Sequence, residues 1–356
     1  MDLTAPNCSQ FEIASLPCSS SRSLATRLGL YLFFTCSITI TIFGNLGIII
    51  SISHFVQLHS PTNFLILSLA ITDLCLGIFI MPYSMIRTVE NCWYFGNLFC
   101  KIHYGFDLTL SVISIFHLCI IAIDRFYAVC EPLYYPLRIT GTVIKHLVFS
   151  CWSAAMLFSL GVVISNSHVS GIEGYHILVT CLHICPITFN KLWSMVIFFV
   201  CFFIPASIMV GVYIKIFLVS LRHRRIIENK VLAETYQNIS KKREHKAAKK
   251  LAILMGVFLT CWSPLFITFI IDPFIDYSTP TLLFDAFNWL SYINSTCNPI
   301  LYGFLYPWFR KALRHIVSGR MLFHALSSSA ELPPCMSLPL VSPVTQAHAQ
   351  WPPSYQ

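Results

Sequence analysis

Seven apolar stretches constrain the fold of this chain more than any other feature of its sequence. A transmembrane α-helix needs about 20 apolar residues to cross the hydrocarbon core of a bilayer. The stretches cover residues 28–54, 63–88, 97–130, 144–166, 191–220, 244–272 and 281–304. Only 11% of the 356 residues are charged, whereas soluble domains carry about 25%. The sequence therefore predicts an all-α membrane protein, a bundle of seven transmembrane helices.

Two tails and one short helix flank the predicted seven-helix domain, which spans residues 28–306. Residues 1–27 are polar and form the N-terminal tail. Residues 307–318, PWFRKALRHIVS, mix basic and apolar side chains and predict a short amphipathic eighth helix on the cytoplasmic side. Residues 319–356 are rich in Pro and Ser, a composition typical of a disordered tail.

The basic residues lie mostly on one side of the predicted bundle. With the N-terminus outside, 18 of the 23 Lys and Arg residues fall on the inner side. The positive-inside rule therefore predicts a multi-pass plasma-membrane protein with an extracellular N-terminus. Asn7, in the sequon Asn7-Cys8-Ser9, is then a predicted glycosylation site. The net charge of +8 reflects this cytoplasmic bias and gives no support for nucleic-acid binding.

The third stretch carries Asp107 near its outer end and Asp124-Arg125 near its inner end. Eighteen residues make five helical turns, so Asp107 and Arg125 share one face, about 27 Å apart. An ionisable residue inside a span indicates a functional site by default. No Lys or Arg of another span is placed to reach Asp107, which favours a cationic ligand as its partner. The alternative is that Asp107 is protonated, or hydrogen-bonded to Tyr292.

A polar or proline residue stands at a characteristic depth in almost every stretch. These residues include Asn45, Asp73, Asp107, Arg125, Trp152, Pro205, Trp262, Pro264, Asn298 and Pro299. The set resembles the rhodopsin-like G-protein-coupled receptors over residues 28–318. Within them, NSTCNPILYGFLYPWF, LHSPTNFLILSLAITD and ENCWYFG resemble the trace amine-associated receptors. The opening MDLT and the run SIFHLCIIAIDRFYAVC are most similar to subtype 3, and then to subtype 2.

The resemblance implies a receptor for small amines, in which Asp107 binds the protonated amine. The expected ligand-binding residues are Asp107, Leu108, Ser111, Ile197, Cys201, Trp262, Phe266, Trp289 and Tyr292. Where catecholamine receptors place serines, this chain has Ile197, Phe198 and Cys201, so we expect a primary amine with an apolar or plain aromatic body. Aromatic rings near such an amine add cation–π attraction. A receptor for another biogenic amine is the alternative.

The resemblance also implies a sodium ion that favours the inactive state. Its expected ligands are Asp73, Ser114, Asn294, Ser295 and Asn298. The alternative is a water-filled polar network without an ion.

A cytoplasmic switch is implied as well, coupled to a stimulatory or olfactory heterotrimeric G protein that raises cyclic AMP. Arg125 would pair with Glu244 at rest, and the sixth span would swing about Pro264 on activation. Leu133 would then insert into the G protein. Phe126 stands where Tyr is commoner, but the charge pair before it is kept. The full set of switch residues is Asp124, Arg125, Leu133, Tyr213, Glu244, Pro264, Pro299 and Tyr302.

Two outer disulfides are implied by the resemblance. The first joins Cys100 to Cys185. The second joins Cys181 to the N-terminal tail, where Cys18 matches by its distance from the first span. Cys8 and a bond within the loop are the alternatives for Cys181.

Other classes of membrane protein fit the sequence less well. A transporter tends to show internal repeats, and none is evident. The enzyme motifs HExxH and G-x-S-x-G are absent from the sequence. We therefore expect a non-enzyme without a cofactor beyond the sodium ion. Its expected partners are a small amine, a G protein and plasma-membrane lipid, with no nucleic acid.

Overall fold

The computed structural model describes residues 22–228, 234–305 and 307–317, which form a bundle of helices. The helices of these residues are α1 Leu24–His54, α2 Pro61–Phe79, α3 Met81–Glu90, α4 Gly96–Cys130, α5 Tyr135–Arg138, α6 Gly141–Ser165, α7 Tyr175–Thr180, α8 Lys191–Ile197, α9 Ile204–Glu228, α10 Glu234–Ile271, α11 Thr281–Leu305 and α12 Pro307–Val317.

Seven helical segments have the length of a membrane span. In the described part of the chain, six of them are also apolar enough to cross a membrane by composition. The seventh, α11, has 25 residues, but it buries Asn288, Asn294 and Asn298, which lower its hydropathy. It packs against α1 and α10 and so closes the ring of helices. The predicted all-α seven-helix membrane fold is confirmed.

The predicted eighth helix is α12, and it packs against α1 and α11. Its apolar side chains Phe309 and Ala312 are buried, whereas Arg310 is exposed. This is the amphipathic arrangement that the sequence predicts for a helix lying on the inner surface.

The second span is broken rather than continuous, which the hydropathy of residues 63–88 did not predict. Helix α2 ends at Phe79, Ile80 is the junction, and α3 starts at Met81. Pro82 explains the break, because proline lacks a backbone N–H and its ring clashes with the carbonyl four residues earlier. The break turns Ser84 and Arg87 of α3 into the bundle, where both are buried.

The fifth span contains a turn of π-helix over Phe198–Phe203, between α8 and α9. Pro205 follows it and cannot donate a hydrogen bond to the preceding turn. Such a π turn shifts the side chains before it around the helix axis, and these turns are frequent at functional sites. Here Ile197 and Cys201 are both buried toward the bundle interior.

Helix α4 lies at the centre of the bundle and packs against α2, α6 and α9. Its buried residues follow the full length of the helix, from Cys100 at the outer end to Asp124 at the inner end. This central position brings the polar residues of the third span into contact with several neighbouring helices.

Helices α1 and α11 approach closely at Gly44. A Cβ atom at this position would lie 2.6 Å from Cγ of Pro299, well inside normal van der Waals contact. The kinked helix α11 can therefore pack on α1 only because Gly44 has no side chain.

We predict that Gly44→Ala destabilises the protein, because the added methyl group must push α1 away from Pro299. Overpacking of this kind costs about 1–3 kcal/mol. Gly29→Ala is the matched control, since it lies in the same helix with no atom within 4 Å of its Cβ position. Thermal unfolding of the purified variants measures the effect. Equal melting temperatures for both variants would show that the contact does not constrain the bundle.

Candidate functional site

A cavity opens in the outer half of the bundle, between α4, the fifth span, α10 and α11. Its volume is about 40 Å³. One water molecule needs roughly 10–15 Å³ of such a cavity, so the space between the side chains is small. The cavity is lined by Tyr104, Asp107, Leu108, Ser111, Val112, Ile115, Ile187, Phe189, Ile197, Cys201, Trp262, Leu265, Phe266, Phe269, Asn288 and Ser291.

Asp107 provides the carboxylate in the cavity wall, and it is buried, with 8% of its surface exposed. The Tyr292 hydroxyl donates to Oδ2 of Asp107 at 2.5 Å. The Ser111 hydroxyl reaches Oδ1 only at 3.4 Å. Asp107 belongs to neither of the ion pairs found among the described residues. The expected alternative of a Tyr292 hydrogen bond thus forms, but it leaves the second carboxylate oxygen weakly engaged beside the cavity.

Aromatic and apolar side chains make up most of the remaining wall. The ring centroids of Phe266 and Trp262 are 5.8 Å apart. Phe266 also stacks on Phe202 at 4.8 Å. The nearby Ser194 hydroxyl donates to the backbone carbonyl of Phe189 at 3.3 Å, so this serine of the fifth span is engaged by the outer loop. A bound cation would therefore meet Asp107 and aromatic faces, and no free serine hydroxyl from the fifth span.

Two of the predicted ligand-binding residues do not line the cavity. Trp289 stacks on Phe34 with ring centroids 3.8 Å apart, and its Nε1 donates to the Thr88 hydroxyl at 3.1 Å. The sequence analysis placed Trp289 on the cavity face of α11. The side chains of adjacent helical residues point about 100° apart around the helix axis, and it is Asn288 that lies on that face. Tyr292 contacts Asp107 without being part of the wall. The other seven predicted residues line the cavity.

Several cavity residues were not predicted from the sequence. Ile187 and Phe189 belong to the second outer loop and close the cavity from outside. The sequence feature that could have identified them is Cys185. A loop joined to Cys100 at the outer end of α4 must lie over the bundle, and Ile187 and Phe189 follow Cys185 in that loop. Asn288 and Ser291 of α11 are the other polar residues that the sequence interpretation missed, together with Tyr104.

The predicted sodium ligands gather around Asp73, which is fully buried. Ser295 and Asn298 donate hydrogen bonds to its two carboxylate oxygens, each at 2.7 Å. Ser114 Oγ and Asn294 Oδ1 are buried as well, and neither has a hydrogen-bond partner in the described part of the chain. The cluster thus combines one carboxylate with two unused neutral oxygen atoms, which are the ligands that hard cations prefer.

The inner end of α4 holds a second polar network, centred on Asp124. Arg125 donates to Asp124 through Nε at 2.9 Å, and its Nη2 contacts both Asp124 and Thr62. The Tyr135 hydroxyl of α5 donates to Asp124 at 2.9 Å. Burial and the adjacent Asp124 carboxylate raise the pKa of Tyr135, which keeps its hydroxyl protonated as a donor. The sequence interpretation did not identify Thr62 or Tyr135.

The other predicted switch residues lie where their helices place them. Pro264 and Pro299 stand inside α10 and α11. Tyr302 is buried, Tyr213 stacks on Phe217 with centroids 6.2 Å apart, and Leu133 is 84% exposed in the second inner loop. The side chain of Glu244 falls outside the described residues, so its pairing with Arg125 stays a prediction.

The predicted disulfide between Cys100 and Cys185 is confirmed. Cys181 is also disulfide-bonded, and so is Cys92, which the sequence interpretation did not assign to a bridge. Cys18 and the sequon residue Asn7 lie outside the described residues. The pairing of Cys18 with Cys181 and the glycosylation of Asn7 therefore remain predictions.

Comparison with known proteins is consistent with this architecture. Residues 44–302 match the 7 transmembrane receptor (rhodopsin family) model. Trace amine-associated receptor 2 of Homo sapiens is 58% identical over 88% of this chain and 89% of its own length. Trace amine-associated receptor 3 of Rattus norvegicus is 57% identical over 92% of this chain and 96% of its own. Trace amine-associated receptor 4 of Mus musculus is 49% identical, over 86% and 89% respectively.

The fold and the buried polar clusters thus define a seven-transmembrane receptor. The chain belongs to the rhodopsin family and, within it, to the trace amine-associated receptors. Like its relatives, it is not an enzyme.

We predict that peptide mapping under non-reducing conditions recovers three linked peptides: Cys100–Cys185, Cys18–Cys181 and one that contains Cys92. Loss of the first bridge through Cys185→Ser should lower surface expression more than Cys181→Ser, because it ties the loop over the cavity to α4. A peptide joining Cys181 to Cys185 would contradict the assignment. Cys36→Ser, at a free exposed cysteine, is the control.

Proposed function

We propose that this chain is a plasma-membrane receptor for small primary amines. The observation that supports it best is Asp107, a buried carboxylate with one weakly engaged oxygen in the wall of an aromatic-lined cavity. An ammonium group would bind this oxygen through a charge-assisted hydrogen bond. Trp262 and Phe266 would contact its alkyl or aromatic body. The names of the relatives, which are trace amine-associated receptors, agree with this ligand class.

The size and chemistry of the cavity limit the amine. A volume of about 40 Å³ accepts only a small ligand unless side chains move. On the fifth span, Ile197 and Cys201 offer no hydroxyl to a catechol, and the Ser194 hydroxyl is already bonded to the loop. The hydroxyl groups in the cavity wall belong to Tyr104, Ser111 and Ser291 of other helices. These features favour a small, apolar or plain aromatic amine over a catecholamine, including the volatile amines that an olfactory receptor would detect.

We propose that the cytoplasmic side binds a stimulatory G protein and so raises cyclic AMP. The second inner loop exposes three large apolar side chains there, since Leu133 is 84% exposed, Leu137 76% and Tyr134 57%. Apolar residues clustered on a surface often mark an interface with another protein. On activation, Arg125 would leave Asp124 and Thr62 and turn toward the G protein. The choice of the stimulatory type rests on the family resemblance.

We further propose that a sodium ion binds beside Asp73 and favours the resting receptor. Ser114 and Asn294 would supply neutral oxygen ligands, because their oxygens have no hydrogen-bond partner among the described residues. Ser295 and Asn298 would orient the carboxylate by donating to it, rather than act as direct ligands. The ion would supply a positive charge that offsets the buried carboxylate.

We predict that Asp107→Asn lowers the potency of small amines at least about 10- to 150-fold, the range expected for a lost hydrogen bond to a charged group. Asparagine can still accept the Tyr292 hydrogen bond, so the variant removes the charge and little else. Asp107→Glu keeps the charge and should weaken the response less. Cyclic AMP is measured in cells at matched surface expression. Wild-type potency in Asp107→Asn would refute the amine site.

A second prediction concerns the resting state at the inner end of the bundle. Glu244→Ala should raise basal cyclic AMP, because the ion pair with Arg125 is lost; a shift of about 1–2 kcal/mol changes the equilibrium constant roughly 5- to 30-fold. Tyr135→Phe should raise it less, since one hydrogen bond to Asp124 is removed. Arg125→Ala should abolish signalling. Unchanged basal activity in Glu244→Ala at equal surface expression would exclude the proposed pair.

A further inference from the structure

Arg87 of α3 is a buried cation whose Nη2 donor is left unsatisfied by the described residues. Its side chain is buried, with 9% of the residue surface exposed. Its Nη2 atom is buried and makes no hydrogen bond in the part of the chain that the structure describes. Neither ion pair found among those residues includes Arg87. A buried guanidinium is destabilising unless an anion or several acceptors meet its N–H groups.

The position of Arg87 relative to the amine anchor follows from a chain of hydrogen bonds. Tyr292 donates to Asp107 at 2.5 Å, and its oxygen also lies 3.3 Å from the Ser84 hydroxyl. Ser84 is bonded in turn to His103, one turn above Asp107 on α4. Arg87 follows Ser84 by three residues, about 4.5 Å along α3 toward the outer surface. It therefore lies roughly one helical turn outside the Asp107–Tyr292 pair.

The charges around Arg87 do not neutralise it by direct contact. Arg87 interacts electrostatically with Asp107 and with Asp285 of α11. Neither carboxylate forms an ion pair with it. Thr88, the next residue, is bonded to Trp289 of α11, so α3 contacts α11 next to Arg87. Asn288 Nδ2 is a second buried donor without a partner among the described residues. Each of these buried donors, on helices that are in contact, lacks an acceptor among the described residues, and buried donors are normally hydrogen-bonded.

We propose that Arg87 forms an anion subsite at the outer side of the amine cavity, which takes a small singly charged anion. That anion has two sources. It is either the carboxylate of the ligand itself, as in a short ω-amino acid whose ammonium binds Asp107, or a free halide that enters beside a plain amine. The first source rests on the proposed function, whereas binding of a free anion does not require an amine. A guanidinium suits both, because its planar N–H groups bind carboxylates and other anions.

The first test needs no amine. The melting temperature of the purified full-length receptor is measured in sodium chloride, in sodium acetate and in sodium gluconate at equal ionic strength. We expect chloride or acetate to stabilise the wild type relative to the bulky gluconate, and Arg87→Gln to lose that difference. Arg87→Lys keeps the charge but lacks the planar guanidinium group, so it should retain part of the difference in melting temperature between the salts. Arg27→Gln is the matched control, because Arg27 is already paired with Glu90 at 2.5 Å and lowers the pKa of that carboxyl.

The second test identifies the source of the anion. β-Alanine and ethylamine differ only by a carboxylate, and their binding is compared by competition against an amine probe. If the ligand brings the anion, the wild type binds β-alanine more tightly than ethylamine, and Arg87→Gln reduces β-alanine affinity roughly tenfold to hundredfold. If a free halide fills the subsite, ethylamine affinity depends on chloride in the wild type and loses that dependence in Arg87→Gln.

The proposal is overturned if wild type and Arg87→Gln respond alike to all three salts and show the same ratio of β-alanine to ethylamine affinity. Arg87 would then be neutralised by Asp285 in solution, and Asp285→Asn would destabilise the protein as much as Arg87→Gln. Failure of the proposed amine site gives a different result, since neither amine would compete, while the salt-dependent melting temperature would still report on Arg87.

Discussion

A carboxylate buried among apolar helices must find its partners on neighbouring helices, and three such carboxylates organise this bundle. Asp73, Asp107 and Asp124 are exposed by only 0%, 8% and 1%. Helix α11 supplies the partners of the first two, through Ser295, Asn298 and Tyr292. Ionisable groups at membrane depth are costly, and hydrogen bonds from neighbouring helices reduce that cost. The polar face of α11, which lowers its hydropathy, therefore contributes to holding it against the rest of the bundle, beside the apolar packing of the same helix.

The sequence predicted those features that depend on helical period and on composition. Asp107 and Arg125 were placed on one face by simple counting, and both face the interior of the bundle or its inner rim. Counting failed where the helix is irregular. Pro82 breaks the second span at Ile80. The π turn at Phe198–Phe203 changes the direction of the side chains around the helix axis, which cannot be read from hydropathy. Trp289 lies on Phe34 and outside the cavity wall, because adjacent residues of a helix point in directions about 100° apart.

Features set by tertiary contact could not be predicted from one sequence. Ile187 and Phe189 reach the cavity only because the loop is fixed by the bridge to Cys100. Tyr135 finds Asp124 from a short helix whose position depends on the packing of the inner loop. Arg87 was counted among the outer charges, since nothing in the sequence shows that the break at Ile80 turns it inward. Such side chains need the coordinates of neighbouring helices before their role can be inferred.

The same contacts offer a physical route from the cavity to the inner half of the bundle. Tyr292, Ser295 and Asn298 lie at intervals of three residues on α11, so the hydrogen bonds to Asp107 and to Asp73 share one face of that helix. A cation that binds Oδ1 of Asp107 would share the charge of that carboxylate with the Tyr292 hydroxyl, which donates to Oδ2. Tyr292 and Ser295 are about one turn apart on α11, so a displacement of this part of the helix would move both hydrogen bonds. At Pro299 a backbone hydrogen bond is missing, so α11 can bend at that residue. A ligand shifts the resting equilibrium only as far as its affinity differs between the two states. The bond between Tyr292 and Asp107 is a contact whose strength can provide that difference.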